Sequence, residues 1–410
     1  MPEFFKVLPP DAARARLFEH LPVAPRPETV RTAEALDRVT FEAVHSPSAL
    51  PTFPRSTMDG YAVRAADTFG ASATLPAYLS VAGEVPMGRA PEVAVGPGQA
   101  VIVHTGGMIP PGADAVVIVE NTQPARENEI ECVRAVAVGE NVLRVGEDVA
   151  AGAEVLPRGQ WLRPQDLGGL LALGILEVRV AARPRVAILG SGDEVVPPEA
   201  EPGPGQIRDI NSFTVAGQVA WAGGIADRRG ISPDDFDSLM RSAEAALAEA
   251  DMLVLSAGSS VSVRDITSRV IEALGRPGVL VHGVALKPGK PVILAVAGRK
   301  PVIGLPGNPV SAMVCADLFV VPALYWMQGC DRSPTKGSLW ARLTRNLASA
   351  PGREDYVPAR LAYRDGDWWA EPVFGKSNLI FTLINADGML KIPLDANGVA
   401  QGERVEVRLF

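Results

Sequence analysis

The sequence predicts a multi-domain protein of α/β and β type, built around a parallel-sheet α/β domain over about residues 183–328. Three observations carry this reading. At 410 residues the chain exceeds what one hydrophobic core usually supports, so it divides into domains. After Arg183-Pro184, two short apolar runs, RVAILG (185–190) and DMLVLS (251–256), each end in a Gly/Ser loop and alternate with helical segments. Strands alternating with helices build parallel sheets. From about 335 onward SLWARLTRNL, YVPARLAYRDGDWWAEPVF and GERVEVRLF alternate apolar with polar residues, and Asp365-Gly366 supplies a hairpin signal. That last part reads as a small all-β domain.

The elements follow in order. Residues 28–45, ETVRTAEALDRVTFEAVH, place apolar side chains at helical spacing and predict a helix, which the turn-rich SPSALPTFPRSTMDG ends. Residues 74–146 are strand-like, with QAVIVHTG and ADAVVIVEN separated by Pro110, Pro111 and Gly112. Residues 150–182 read as a short strand, a helix and another strand. The α/β unit contains helices SFTVAGQVAWAG, DDFDSLMRSAEAALAEA and DITSRVIEALG; PVILAV, KPVIGL and the helix PVSAMVCADLFVVPALYWM complete it.

Composition narrows the function. Hydrophobic residues make up 47% and charged ones 21%, a globular balance. A net charge of -8 argues against a nucleic-acid binder, but local lysines and backbone N–H groups can still receive small anions. Cys132, Cys315 and Cys330 are too few and too scattered for a disulfide framework or a zinc site. The first twenty residues hold no secretory signal, and no stretch approaches the roughly 20 apolar residues of a membrane span. The expectation is a cytoplasmic protein with no membrane partner.

In open parallel sheets, ligands bind beyond the carboxyl ends of the strands. Four loops fall there. Gly190-Ser191-Gly192-Asp193-Glu194 offers close backbone approach and two carboxylates able to hold Mg²⁺, although a tight turn with solvated acids accounts for it equally. Ser256-Ala257-Gly258-Ser259-Ser260 precedes Asp265 and suits an oxyanion, with Asp265 equally able to serve as a helix cap. In Ser232-Pro233-Asp234-Asp235 the pattern reads Ser232 as N-cap, Pro233 as the first helical residue and Asp235 as its capping-box partner. Leu286-Lys287-Pro288-Gly289-Lys290-Pro291 holds two lysines in a rigid frame, which favours phosphate or another oxyanion. In GLPGNPVS, Asn308 can cap the next helix with Pro309 at its first position, which leaves an anion site at the helix terminus. GxxxxGK[ST] and a GxGxxG with a suitable downstream acid are both missing, so the common nucleotide folds are not indicated.

Taken in order, these loops carry a family signature. Ser56-Thr57-Met58-Asp59-Gly60-Tyr61-Ala62-Val63-Arg64, Thr105-Gly106 in HTGGMIPPGADAVV, Gly146-Glu147-Asp148, Gly192-Asp193-Glu194, Gly205-Gln206-Ile207 with Asn211, LKPGKP and GLPGNPVSA resemble the molybdopterin molybdenumtransferases, the MoeA family that includes the gephyrin E domain. The resemblance runs over nearly the whole length. It implies an elongated domain from residues 1–50 plus 149–182 and an inserted mainly-β domain at 51–148. A MogA-like parallel-sheet α/β domain at 183–328 and a C-terminal β-barrel at 329–410 follow. It further implies a homodimer whose site joins the α/β domain of one subunit to the inserted domain of the other. The implied reaction hydrolyses adenylylated molybdopterin and passes molybdenum from molybdate to the dithiolene, releasing AMP with Mg²⁺ assistance. The adenylyltransferase of the same pathway is an implied partner.

Carried over by motif, the catalytic acids are Asp59, Asp148, Glu194, Asp234 and Asp265, with Glu194, Asp234 and Asp265 as the metal-holding set. The binding residues are Thr105, Lys287, Lys290, Pro306, Pro309, Arg360 and Ser377, to which the oxyanion loop adds Ser256 and Gly258. The chain departs from the family pattern at Ala257 and Ser262, which replace glycines. It departs also at Val263, which replaces an acid, and at Leu143 and Gly283, which replace basic residues. These departures fit a catalytically weakened paralogue that binds molybdopterin or acts as a scaffold; the retained acids fit the enzyme.

Overall fold

RVAILG and DMLVLS lie side by side at the centre of a six-stranded sheet. Its strands are β1 (Arg185–Ser191), β2 (Ile225–Ser232), β3 (Met252–Ser256), β4 (Pro277–His282), β5 (Ile293–Ala297) and β6 (Lys300–Leu305), in the order β2-β1-β3-β6-β5-β4. The four strands β2, β1, β3 and β6 are parallel, and β5 and β4 extend the sheet as antiparallel neighbours. In β1, Val186 and Ile188 face one core while Ala187 and Leu189 face the other, the period-two alternation of a strand covered on both sides. Helices α1 (Asn211–Trp221) and α4 (Pro309–Met327) cover the first face. Helices α2 (Phe236–Glu249) and α3 (Val261–Ala273) cover the second. This computed structural model describes residues 7–256, 261–330 and 337–410.

Helix α4 corrects one expectation. Its 19 residues have mean hydropathy 1.7 and are long and apolar enough to cross a membrane, contrary to the reading that no stretch approaches a span. The helix is 72% buried inside the protein's own core, where Val310, Ala312, Cys315, Phe319 and Leu324 pack. Burial on nearly all sides calls for apolar residues on nearly all sides, whatever the solvent. A π-helical turn, Ala316–Val320, interrupts it midway.

The helix predicted over 28–45 does not form. Pro27–Arg31 is a strand paired antiparallel with Glu177–Ala181, followed by the 3-10 turn Thr32–Glu34 and, at the end of the span, by the short strand Val44–His45. Val30 finds Val178 across that pairing and Thr29 finds Arg179. A partner strand some 150 residues away in sequence outcompetes a local helical spacing. A helix not expected from the residue pattern, Pro10–Phe18, buries Ala13 and Leu17 in the core beneath the sheet. Its last residue stacks on Trp326 with ring centroids 4.6 Å apart.

The chain forms two units. One holds the residues up to Glu42, Arg158–Leu167 and Glu177–Phe410, and therefore the sheet above and the C-terminal strands. Those strands, in the order Glu354–Arg364, Asp367–Pro372, Ser338–Leu343, Arg404–Leu409 and Gly388–Ile392, close on themselves because the first also pairs with the last. The result is a five-stranded barrel around Ala341, Leu343, Ala359, Leu390 and Val407. Arg364 and Asp367 face each other across the hairpin, and Asp365 and Gly366 both take positive φ (53° and 77°), as that turn requires. The second unit, Ala43–Pro157 with Gly168–Leu176, contains a six-stranded mainly antiparallel sheet with Gly60–Val63 and Gln99–Val103 adjacent near its centre.

Candidate functional site

The carboxyl ends of β1, β3 and β6 stop at one level. Gly190 is opposite Ser256, and Ser256 is opposite Leu305. Beyond this edge opens a cavity of about 400 Å³, lined by Gly190, Ser191, Glu194, Ser256, Asn308 and Pro309 among others. Asn211, at the start of α1, ties the edge together. Its Nδ2 donates to Ser256 Oγ (3.0 Å) and to the Gly307 carbonyl (2.8 Å).

A second cleft, of about 1010 Å³, is lined by Lys287, Pro288, Gly289, Lys290, Pro306, Asn308 and Ser377, and also by Arg353 and Lys376. Lys287 and Lys290 are exposed there. The turn between them rests on α4: Cys315 Sγ lies 3.5 Å from the Gly289 carbonyl, and Gly289 takes φ +114°. Lys287 belongs to a short strand, Leu286–Lys287, paired in parallel with Glu354 and Asp355 of the barrel. Asn308 stands at the N-cap position with Pro309 first in the helix, yet its side chain makes no cap bond. It donates instead to Ser377 Oγ (3.0 Å), while the Ser377 carbonyl accepts from Val310 N (3.1 Å). The Ser377 segment therefore caps α4, and the anion site expected at that terminus has lost the Val310 N–H to it.

The acids fall differently from expectation. The N-cap of α2 is Asp235, which accepts from Ser238 N at 2.9 Å; Ser232 is the last residue of β2, and Pro233 lies outside the helix. The Ser238 N–H holds the Asp235 carboxyl below the ordinary carboxylate range. Asp234 is released from capping altogether. Its Oδ1 accepts from the buried Ser191 hydroxyl at 2.5 Å and its Oδ2 from Asp193 N at 3.3 Å, while its own N–H donates to Asp193 Oδ1 at 3.2 Å. This reciprocal pair joins the ends of β1 and β2. Asp265 is not a cap either: α3 begins at Val261, so Asp265 sits exposed in its second turn.

Among the described residues, no three acid, histidine or cysteine side chains converge as a ready metal cage. Asp234 and Glu194 at an open edge fit the way Mg²⁺ is usually held, by one or two carboxylates with substrate phosphates completing the shell. Arg360 lies exposed on the barrel strand Glu354–Arg364, outside the lining of either cleft. Gly258 lies outside the described residues, as does Ala257; Ser262 and Val263 fall in α3. Gly283 takes φ +93° with its N–H bonded to the Val292 carbonyl, so a lysine there would be strained. Leu143 pairs with Arg55 in a two-residue ladder.

In the second unit, Asp59 and Thr105 meet: Thr105 N donates to Asp59 Oδ1 at 2.8 Å. His104 flanks the same carboxylate at 3.8 Å and bonds Glu84 at 2.9 Å through its other nitrogen. Asp148 is exposed, its N–H bonded to the Leu50 carbonyl. A third cleft, about 880 Å³ and lined by Phe18, Tyr325, Trp326 and Met389 among others, includes none of the predicted site residues.

The signal that could have found Asn211 was its place in the family motif, and for Ser191 its place inside GSGDE. Neither spacing shows which side chain each would bond, because Ser256 and Asp234 lie 45 and 43 residues further on.

An open α/β sheet whose carboxyl edge carries small hydroxyls, acids and paired lysines, joined in one chain to a closed barrel and a further β unit, defines a class of multi-domain α/β and β proteins with polar, charged loops at the strand ends. Residues 8–174 match the family described as "MoeA N-terminal region (domain I and II)", residues 187–326 the "Probable molybdopterin binding domain", and residues 340–410 the "MoeA C-terminal region (domain IV)". A protein named molybdopterin molybdenumtransferase in Haemophilus influenzae is 33% identical over 98% of both chains. One of the same name in Bacillus subtilis is 32% identical over 93% of this chain and 90% of its own. Two solved structures of the molybdopterin biosynthesis MoeA protein from Pyrococcus horikoshii match 98% and 99% of this chain and 99% and 100% of theirs. Their TM-scores are 0.79 and 0.85, at 37% and 32% identity. The chain belongs to the MoeA family of molybdopterin molybdenumtransferases.

Proposed function

We propose that this protein completes molybdenum cofactor assembly: it hydrolyses adenylylated molybdopterin, transfers molybdenum from molybdate to the dithiolene and releases AMP. The observation that carries the reading is the LKPGKP turn. It belongs to a chain related end to end to proteins of that name, and it presents Lys287 and Lys290 to a cleft large enough for a pterin nucleotide. The lysines hold phosphate oxygens as compact point charges. Ser256 and Gly258, together with the 306–309 turn, receive a second oxyanion. Asp234, oriented by Ser191, positions the attacking oxygen, and rate is gained by alignment and charge complementarity rather than by a covalent intermediate. When bound, Mg²⁺ supplies charge neutralisation on the phosphate oxygens; Glu194, Asp234 and Asp265 would hold it.

The working form in this reading is a cytoplasmic homodimer. The partner subunit supplies Asp59, Thr105 and Asp148, with Arg360 and Ser377 completing substrate binding. The adenylyltransferase that makes the substrate is the expected partner protein. The decisive experiment gives the purified protein adenylylated molybdopterin, Mg²⁺ and molybdate and measures AMP. Release well above a buffer control is expected, and release equal to that control overturns the enzyme reading.

A further inference from the structure

We infer that Asn211 is a positioning residue that aims the Ser256 hydroxyl proton into the cavity beyond β1, β3 and β6. The inference rests on the reading that this cavity receives an oxyanion. Asn211 is only 8% exposed, and Ser256 only 6%. The Gly307 carbonyl can only accept, so the Asn211 atom 2.8 Å from it is the amide nitrogen, and the amide cannot be turned round. The same nitrogen donates to Ser256 Oγ at 3.0 Å. Ser256 therefore accepts from Asn211, and its one proton is left to serve an acceptor elsewhere. Ser256 and Asn211 both line the 400 Å³ cavity. An oxyanion there meets a hydroxyl already polarised by a donor at its back.

Two details separate this arrangement from an ordinary helix start. Asn211 is the first residue of α1, and the polar groups of the helix start are met without it: Asp209 accepts from Ser212 N at 3.1 Å and from Ser212 Oγ at 2.5 Å, which leaves the Asn211 side chain to reach across to β3 and Gly307. In making its two bonds, Asn211 also leaves its own Oδ1 buried with no partner. An unmet buried acceptor is tolerated where the donor face is needed. An aspartate of the same shape would reverse the sense of the network: it would accept the Ser256 proton, face the Gly307 carbonyl with a like partial charge, and add negative charge where an anion has to bind.

The test uses the full chain and two probes measured separately by calorimetry at pH 7.5, molybdate alone and AMP alone, with AMP release from adenylylated molybdopterin as the activity readout. Ser256→Ala and Asn211→Asp are each expected to weaken binding of one probe about tenfold, and whichever probe responds identifies the oxyanion. The effects of Asn211→Ala and Ser256→Ala should be non-additive, the double variant binding no worse than Ser256→Ala, because both remove the same aimed proton. In Asn211→Asp, binding should recover at acidic pH, where the introduced carboxyl is protonated and can donate; Asn211→Ala should show no such recovery. If Asn211→Asp does not fold, the Asn211→Ala cycle carries the test. Wild-type affinity in the Asn211 variants alongside weakened Ser256→Ala overturns the inference and leaves the cavity reading standing. Unchanged affinity in Ser256→Ala removes both.

Discussion

A β-carbon on Gly289 would stand 2.5 Å from the sulfur of Cys315 and 2.7 Å from Leu286 Cδ1. The lysine-bearing turn is thus seated on α4 with no room for a methyl group, and at φ +114° its backbone is one that side-chain-bearing residues rarely adopt. Gly289→Ala is expected to cost about 1–3 kcal/mol by overpacking, read by denaturant unfolding, and to lower AMP release by displacing Lys287 and Lys290. Adding Cys315→Ala should restore part of both losses. Wild-type stability in the single variant would mean that the turn is not held by this contact.

The same thiol gives the molecule an alkaline limit. Complete burial pushes Cys315 above its ordinary value of 9.0, and burial likewise pushes up Tyr325 and Tyr356, the latter further raised by its bond to Glu354. Groups raised by folding contribute stability that is intact below their unfolded values. It is lost as pH climbs from those values towards the folded ones. Unfolding free energy should therefore fall by about 1.4 kcal/mol per pH unit for each such group, from pH 9 upward for Cys315 and from pH 10 upward for the two tyrosines. Cys315→Ala should flatten the slope by one group. In the native state Cys315 should resist iodoacetamide at pH 8, since the thiolate is the reactive form. Rapid native-state alkylation would contradict the burial.

Much of this architecture is legible in the sequence alone. The apolar runs of β1 and β3, the Asp365-Gly366 hairpin and the loops at the strand ends declare themselves locally, through composition and turn chemistry. What could not be read depends on partners distant in sequence. Thr29 and Val30 suit a helix or a strand until Val178 and Arg179 settle the matter. Ser232 and Asp235 are both competent caps, and the choice follows from β2 continuing through Ser232 to pair with Ser191. The loss of a lysine at Gly283 looked like a lost binding charge, and the positive φ there supplies a backbone reason instead.

The two neighbouring kinds of aspartate should respond in opposite ways. Asp235→Ala removes a helix cap and should lower the melting temperature with AMP release nearly intact. Because its carboxyl is held below the ordinary value of 3.8, the cap's contribution is present above that value and is lost as pH falls through the folded one. Asp265→Ala places a better helix former in the second turn of α3, so stability should hold while turnover disappears. Near-normal turnover in Asp265→Ala would remove it from the catalytic set.

The proposed sharing of a site between subunits has its own signature. Asp59 is held by Thr105 N in the second unit, and Lys287 lines the cleft of the first. Asp59→Asn and Lys287→Ala should each be inactive alone. If the site joins the first unit of one subunit to the second unit of its partner, a mixed dimer has one site carrying both substitutions and one carrying neither. Random exchange after co-refolding at equal amounts should then restore about one quarter of wild-type AMP release per subunit. If both residues act within a single subunit, every site in every dimer carries one lesion, and mixing restores nothing. Size measurement by light scattering decides whether exchange partners exist at all, and a monomer with full activity would rule out the shared site.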